Sequence, residues 1–288
     1  MEEKPSFKIR QMILKDLEQA LSLSYTEGWN QTENDWKMLL ENPANICLVA
    51  ENNNIIVGTA TAACYSERIA WIGMVLVGKN FRGLGAGRML MTQIIDKLKH
   101  IESIKLDATP AGQPLYQNLG FSEEHVIYRM TNSSLNGFSY KGTGPIPSQV
   151  SQENMPGILD LDLSIFGAER SYLLNTLLRN YPEKAFIAEK NNRPEGYIFG
   201  RDGSRFNYIG PVYCFSSETA ISLISKALES LNEKSIALDV PGDKEELITW
   251  LESIGFVKQR QFKRMYLKSN AYPGSLRNQY LICGPEFG

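Results

Sequence analysis

The stretch from Val75 to Arg88 limits the fold more than any other part of the chain. An apolar run from Trp71 to Val77 reads as a buried strand, and glycine stands at 83, 85 and 87. Beyond it Leu90, Met91, Ile94, Leu98 and Ile101 recur at helical spacing. Strand, glycine-rich loop and helix start, in that order, let backbone N–H groups and the positive end of the helix dipole face a phosphate. The same three parts also make a plain tight turn. Two common phosphate loops are excluded by single residues. A dinucleotide-binding turn counted from Gly83 needs glycine where Arg88 stands, and a P-loop needs Ser or Thr after Gly78-Lys79, where Asn80 stands.

The chain has 288 residues, 43% hydrophobic and 22% charged, enough for a sizeable core and two domains of ordinary size. A net charge of −2 without a basic run argues against nucleic acid as a partner. No signal peptide and no apolar run of membrane-spanning length is present, so a soluble cytoplasmic protein with no membrane partner is expected. Cys47, Cys64, Cys214 and Cys283 show no C-x-x-C pairing and read as buried reduced thiols. With His100 and His125 the only histidines, a His-based triad or metal site is not expected.

In order, the chain reads as a strand over 7–14, a helix capped by Asp16, and a second helix opened by Thr32-x-x-Asp35. A hairpin over 46–65 turns at Asn52-Asn53-Asn54, and the Trp71 strand, the glycine loop and its helix follow. Then come a strand at 104–108, a short helix from about Gln113 and a strand over 121–130. Gly73, alone inside its strand, marks either a bulge with close backbone approach or room for a neighbouring aromatic. From Thr131 to Pro147 periodicity ends and a linker is expected. Beyond it the chain echoes itself. Tyr208-Ile-Gly-Pro-Val212 follows Trp71-Ile-Gly-Met-Val75, Ser235-Ile-Ala-Leu-Asp239 follows Ser103-Ile-Lys-Leu-Asp107, and Ile254-Gly-Phe256 follows Leu119-Gly-Phe121.

Arg82-x-x-Gly85-x-Gly87 directly after a strand resembles the coenzyme A signature of the GNAT superfamily of N-acetyltransferases. Leu106 to Phe121 resembles that family's fifth strand and fourth helix, ending in Leu115-Tyr116-x-x-x-Gly120-Phe121. The resemblance implies an α/β (α+β) tandem GNAT fold, a mixed, mostly antiparallel sheet flanked by helices and repeated twice. The expected parts are a cofactor-binding domain over 1–131, a linker over 132–147 and a GNAT-like domain over 148–288. It also implies acetyl-CoA, no metal, and a small-molecule or peptide amine as acceptor. Val75, Leu76 and Val77 would offer backbone groups to the pantetheine arm, and Arg82, Gly83, Leu84, Gly85, Ala86, Gly87 and Arg88 would hold the pyrophosphate. Thr109 falls nearest the family's cofactor-contacting asparagine, which this chain lacks.

Tyr116 matches the family's general-acid tyrosine. The base is open, because the fourth strand carries no carboxylate. Asp107 and Glu27 are the candidates, although Asp239 repeats Asp107 in the second copy. In that copy Phe215-Ser-Ser-Glu218 replaces the glycine loop and Pro211 removes a strand donor, which makes a poor host for pyrophosphate. The second copy is thus expected to be a substrate wall, a lid or a homodimer surface. Asp162-x-x-x-x-Gly167-x-x-Arg170 is either a carboxylate-binding arginine or a helix-entry glycine with a surface arginine. An enzyme of this design and a non-catalytic acyl-CoA sensor share the same sequence features.

Overall fold

The computed structural model describes residues 6–135, 137–231 and 234–288; residues 1–5 of the expected first domain and Asn136 of the expected linker lie outside the described residues, as do 232 and 233. The first copy runs β1 (Lys8–Gln11), α1 (Leu17–Thr26), α2 (Glu33–Glu41), β2 (Ile46–Asn52), β3 (Ile55–Tyr65), β4 (Ile69–Val77), α3 (Ala86–Lys97), β5 (Ser103–Ala108), α4 (Gln113–Asn118) and β6 (Ser122–Asn132). Local chemistry sets the bounds. The Asp35 carboxylate accepts the Thr32 N–H at 2.6 Å and starts α2. Asn53 and Asn54, with φ of 50° and 64°, turn the β2–β3 hairpin. Asp16 precedes α1 but does not cap it. Its carboxylate takes the Ile13 N–H at 2.9 Å and two Arg10 nitrogens at 2.7 and 2.9 Å instead.

Residues 133–147 carry no helix or strand among the described residues. The second copy follows as β7 (Ser148–Gln149), α5 (Met155–Phe166), α6 (Ser171–Asn180), β8 (Phe186–Lys190), β9 (Arg193–Arg201), β10 (Asn207–Cys214), α7 (Ser217–Ser230), β11 (Ile236–Pro241), α8 (Glu245–Ser253), β12 (Val257–Lys268) and β13 (Gln279–Leu281). The echoed segments occupy matching strands, β10 for β4 and β11 for β5.

The copies do not keep separate sheets. One sheet runs through both in the order β1-β2-β3-β4-β5-β12-β6-β11-β10-β9-β8-β7, with β13 against β10. Among the described strands only β4–β5 and β10–β11 pair in parallel. The last strand of each copy is exchanged: β6 pairs with β11, β12 takes the place beside β5, and the two exchanged strands pair with each other. Each carries an arginine to the other copy's aspartate. Arg264 donates to Asp107 at 2.9 and 3.0 Å, and Arg129 to Asp239 at 2.8 and 2.6 Å. All four side chains are 8% exposed or less, where a charge left without its partner costs several kcal/mol, so these pairs fix the strand register.

Three large apolar cores flank the sheet, with a small fourth of Ile127, Phe262 and Ile282. Leu90 and Ile94 of α3 pack on the first copy and Leu223 of α7 with Leu251 of α8 on the second. A shared core joins Trp36 and Leu39 of α2 to Trp71 of β4, Phe166 of α5 and Leu174 of α6. Burying each such side chain contributes about 1.5–3 kcal/mol.

Burial, reinforced by Arg264, Lys105, Lys244 and Lys263, pushes the His125 imidazole down to about 3, and neither ring nitrogen has a hydrogen-bond partner among the described residues. The unfolded chain, with a pKa of ~6.5, takes a proton that the folded chain refuses. Stability is therefore full above pH ~6.5 and falls on acidification, by about 1.4 kcal/mol between pH 7.5 and 5.5 for this group alone. Urea midpoints at the two pH values should show that part of the loss removed in His125→Gln; an equal loss in the variant would refute it.

Candidate active site

β4 and β5 pair only from Ile69↔Ser103 to Ile72↔Leu106. Past Ile72 they part, β4 staying with β3 as far as Val77 and β5 with β12 as far as Ala108. The β4 edge that faced β5 is thereby left without a sheet partner. The ladder to β3 shifts between Thr61↔Gly73 and Thr59↔Leu76, so Met74 and Val75 bulge together, Met74 with φ of 51°. The Thr59 hydroxyl donates to the Met74 carbonyl at 2.7 Å and that of Thr61 to the Gly73 carbonyl at 3.1 Å, which holds the kink. A Cβ on Gly73 would stand 2.6 Å from the Glu286 Cα, so the neighbour this glycine admits is backbone and not an aromatic.

Past the strand, Gly83 and Gly85 adopt φ of 76° and 97°, and Gly85 begins α3. Gly87 has ordinary backbone. The N–H groups of residues 83–88 meet no acceptor among the described residues, and the first amide to find one is Met89, bonded to the Gly85 carbonyl at 3.0 Å. A run of free amides at a helix start is an anion seat. Arg82 turns away from it, its Nε donating to the Val77 carbonyl at 3.0 Å and its guanidinium pairing with Glu27 at 2.7 Å. Arg88 lies on a surface groove along α3 with Met89 and Thr92.

The gap between the parted strands opens into a cleft. Gly73 to Val75, Leu106, Asp107, Thr109, Tyr116, Arg129, Arg260, Phe262, Pro285 and Glu286 line it. Trp29 and Gln31 of the α1–α2 loop complete it. The second copy holds that loop in place. The Asn30 side-chain carbonyl accepts the Arg205 and Phe206 amides at 3.0 and 2.8 Å, and its amide donates to the Phe206 carbonyl at 2.9 Å.

Val75, Asp107, Thr109 and Tyr116 thus meet in one cleft. Tyr116 is 8% exposed, its ring edge-on to Phe121 and fitted against Gly112, where a Cβ would stand 2.8 Å away. Its hydroxyl has no hydrogen-bond partner among the described residues, and burial pushes it up to about 12. Thr109 accepts the Gly112 N–H, its Oγ1 at 3.3 Å. Both Asp107 oxygens are taken by Arg264; burial raises its pKa and Arg264 opposes the rise. Glu27 lies outside the cleft, with Leu76, Val77 and Lys79 on a separate cavity. Arg170 is wholly buried and not a surface residue. It donates through Nε to Asp162 at 3.1 Å, lies 3.8 Å over the Phe166 ring and bonds the Gly288 carbonyl at 3.3 Å, away from the cleft. The four cysteines are free, and none lines the cleft; burial pushes Cys47 up to about 12 and Cys64 and Cys283 to about 11.

Sequence reading missed Glu286. It is 1% exposed, its Oε1 accepts from Arg201 at 2.6 Å, and its Oε2 is buried with no partner among the described residues. In the second copy the matching gap, beyond Ile209↔Leu238, is filled by the chain itself. β13 pairs Leu281 with Val212, and the Ile282 N–H donates to the Asp239 carbonyl at 3.1 Å. The start of α7 is capped by Ser216, whose Oγ accepts the Thr219 N–H at 3.2 Å.

A bulged strand that leaves its parallel neighbour and runs into a glycine-rich helix start is the architecture of GNAT acetyltransferases. Residues 10–121 match the Acetyltransferase (GNAT) family and residues 158–281 the Acetyltransferase (GNAT) domain, and the chain belongs to this family with two such domains. It is 25% identical over 204 residues to the uncharacterized N-acetyltransferase YitH of Bacillus subtilis, spanning 71% of this chain and 72% of that one. A Pyrococcus horikoshii protein classed as an acetyltransferase has the same fold, with TM-score 0.82 and 21% identity over 98% of this chain and 96% of that one. A tandem GNAT protein from the clavulanic acid biosynthesis pathway shares it at TM-score 0.65 and 12% identity, over 91% and 98% of the two chains. No described helix is long and apolar enough to cross a membrane, and no group of His, Cys, Asp or Glu among the described residues could hold a metal.

Proposed function

We propose that the chain is an N-acetyltransferase that uses acetyl-CoA and transfers the acetyl group directly to a primary amine in the cleft of the first copy. The run of free amides over 83–88, at the end of a strand whose edge is open toward Tyr116, carries this reading. The open gap and unpaired donors fit the cofactor. Residues 83–88 would hold its pyrophosphate, and the β4 edge from Val75 its pantetheine arm, with Thr109 alongside. Acetyl-CoA supplies the acetyl group as a thioester.

With its pKa near 12, Tyr116 stays protonated at neutral pH. A thiol titrates at ~8.5, so full transfer of the phenolic proton to the leaving sulfur costs about 5 kcal/mol. Its free hydroxyl acts instead as a hydrogen-bond donor to the developing thiolate. An acceptor amine of pKa ~10.4 reaches the site as ammonium, and its deprotonation at pH 7 costs about 4.6 kcal/mol, which calls for a base. Direct transfer follows because no thiol lines the cleft to carry the acetyl group. The second copy serves as wall and support.

Tyr116→Phe should lower kcat about 100-fold, read by thiol release with a panel of amines, while calorimetry gives an unchanged Kd for acetyl-CoA. A chain that binds acetyl-CoA but releases no thiol with any amine is an acyl-CoA sensor, and the enzymatic reading then fails.

A further inference from the structure

Two charges facing the cleft lack a full counter-charge. Behind Glu286 the Arg201 guanidinium serves two carboxylates, Asp35 at 2.8 Å and Glu286 at 2.6 Å, and all three residues are 4% exposed or less. One cation faces two anions, and the Glu286 Oε2 that has no partner belongs to this group. Asp35 caps α2 through Oδ2, and its Oδ1 also lacks a hydrogen bond among the described residues, but of the two carboxylates it is Glu286 that lines the cleft. Gln31, on the same cleft, also buries a carbonyl oxygen without a partner. Two residues that line one cavity each hold a buried acceptor that awaits a donor, and burial makes the unmet demand costly.

Arg260 also lines the cleft. The β6–β12 ladder shifts between Lys258↔Met130 and Arg260↔Arg129, so Gln259 bulges and Arg260 comes to lie beside Arg129. The charge of Arg129 is taken by Asp239. Arg260 makes no ion pair among the described residues, and its side chain donates only to its neighbour Gln259, at 3.3 Å. A half-buried guanidinium next to another cation is a seat for an anion.

Resting on the N-acetyltransferase reading of this cleft, we propose that the acceptor is a primary amine that also carries an anionic group. Its ammonium is received by Glu286 and Gln31, and its carboxylate or phosphate by Arg260. Glu286 takes one ammonium proton on Oε2. The freed nitrogen lone pair forms the N–C bond to the acetyl carbon as the C–S bond breaks. The sulfur leaves with the electron pair, held by Tyr116, and a second nitrogen proton passes to it, giving amide and free thiol.

The test uses the full chain with saturating acetyl-CoA and four probes: glycine, O-phosphoethanolamine, ethanolamine and putrescine. At least one anionic amine should exceed ethanolamine tenfold or more in kcat/KM, and comparing glycine with phosphoethanolamine separates carboxylate from phosphate. Arg260→Gln should raise KM for the preferred amine at least tenfold and bring its ratio to ethanolamine close to one, with partial recovery in Arg260→Lys. Glu286→Gln should fall mainly in kcat, with partial recovery in Glu286→Asp. Equal or better use of ethanolamine or putrescine by the wild type, or an undiminished preference in Arg260→Gln, overturns the proposal. If no amine releases thiol, the transfer reading fails, and calorimetry on the coenzyme A-loaded protein still decides this one. Selective binding of an anionic amine that Arg260→Gln loses supports it, and no selectivity overturns it.

Discussion

Replacing Gly85 by valine should raise the Kd for acetyl-CoA at least 100-fold while the chain still folds. Gly85 sits at φ of 97°, and a Cβ there would meet nothing within 4 Å. The obstacle is backbone conformation and not space. Left-handed backbone costs ordinary residues about 1–2 kcal/mol, and a β-branched one more. The loop escapes that strain by rotating φ, and in doing so swings the free amides of 86–88 off their common target. Leu90 and Ile94, fully buried on the sheet, keep α3 in place, so the loss falls on binding and only slightly on stability. Calorimetry paired with thermal unfolding monitored by circular dichroism separates the two. Gly87→Ala, at ordinary backbone, should lose far less. Wild-type affinity in Gly85→Val would remove the main support for the proposed function.

The second large effect concerns stability. Arg264→Met leaves Asp107 buried without its counter-ion and should cost about 3–5 kcal/mol. The double variant Asp107→Leu with Arg264→Met should recover most of it, because a matched apolar pair needs no compensation. As β12 belongs to the second copy by sequence and to the neighbourhood of β5 by pairing, both copies should unfold together. Urea unfolding followed at Trp71 and at Trp250, in variants that keep one or the other, should give coincident transitions. Separated transitions, or a cost below about 1 kcal/mol, would refute the account.

The element order, the glycine loop, Tyr116 and the internal echo are all legible as local patterns, because each depends on residues close together in the chain. The strand exchange is not. Arg129-Met130 and Arg264-Met265 stand at the same distance beyond their Gly-Phe pairs, Gly120-Phe121 and Gly255-Phe256, which shows that the two arginines are equivalent. That equivalence is also why the pattern cannot say which aspartate each one takes. Arg170 reads as a surface residue because arginine is seldom buried, and its burial depends on Asp162, Phe166 and Tyr213 converging on it. Glu286 lies in a short Cys-Gly-Pro-Glu-Phe-Gly run with no periodicity. Its place is fixed by Arg201 and Gly73, both far away in sequence. The acidity of Tyr116 follows from burial by the assembled cleft, which no spacing reveals.

The run from Gln279 to Glu286 first wedges into the gap beside β10 and then presses its backbone on Gly73. It behaves as a tie-rod. The copy whose slot is plugged anchors one end, and the copy whose slot stays open receives the other, so a slackening of the plugged half is felt at the floor of its twin through the backbone itself.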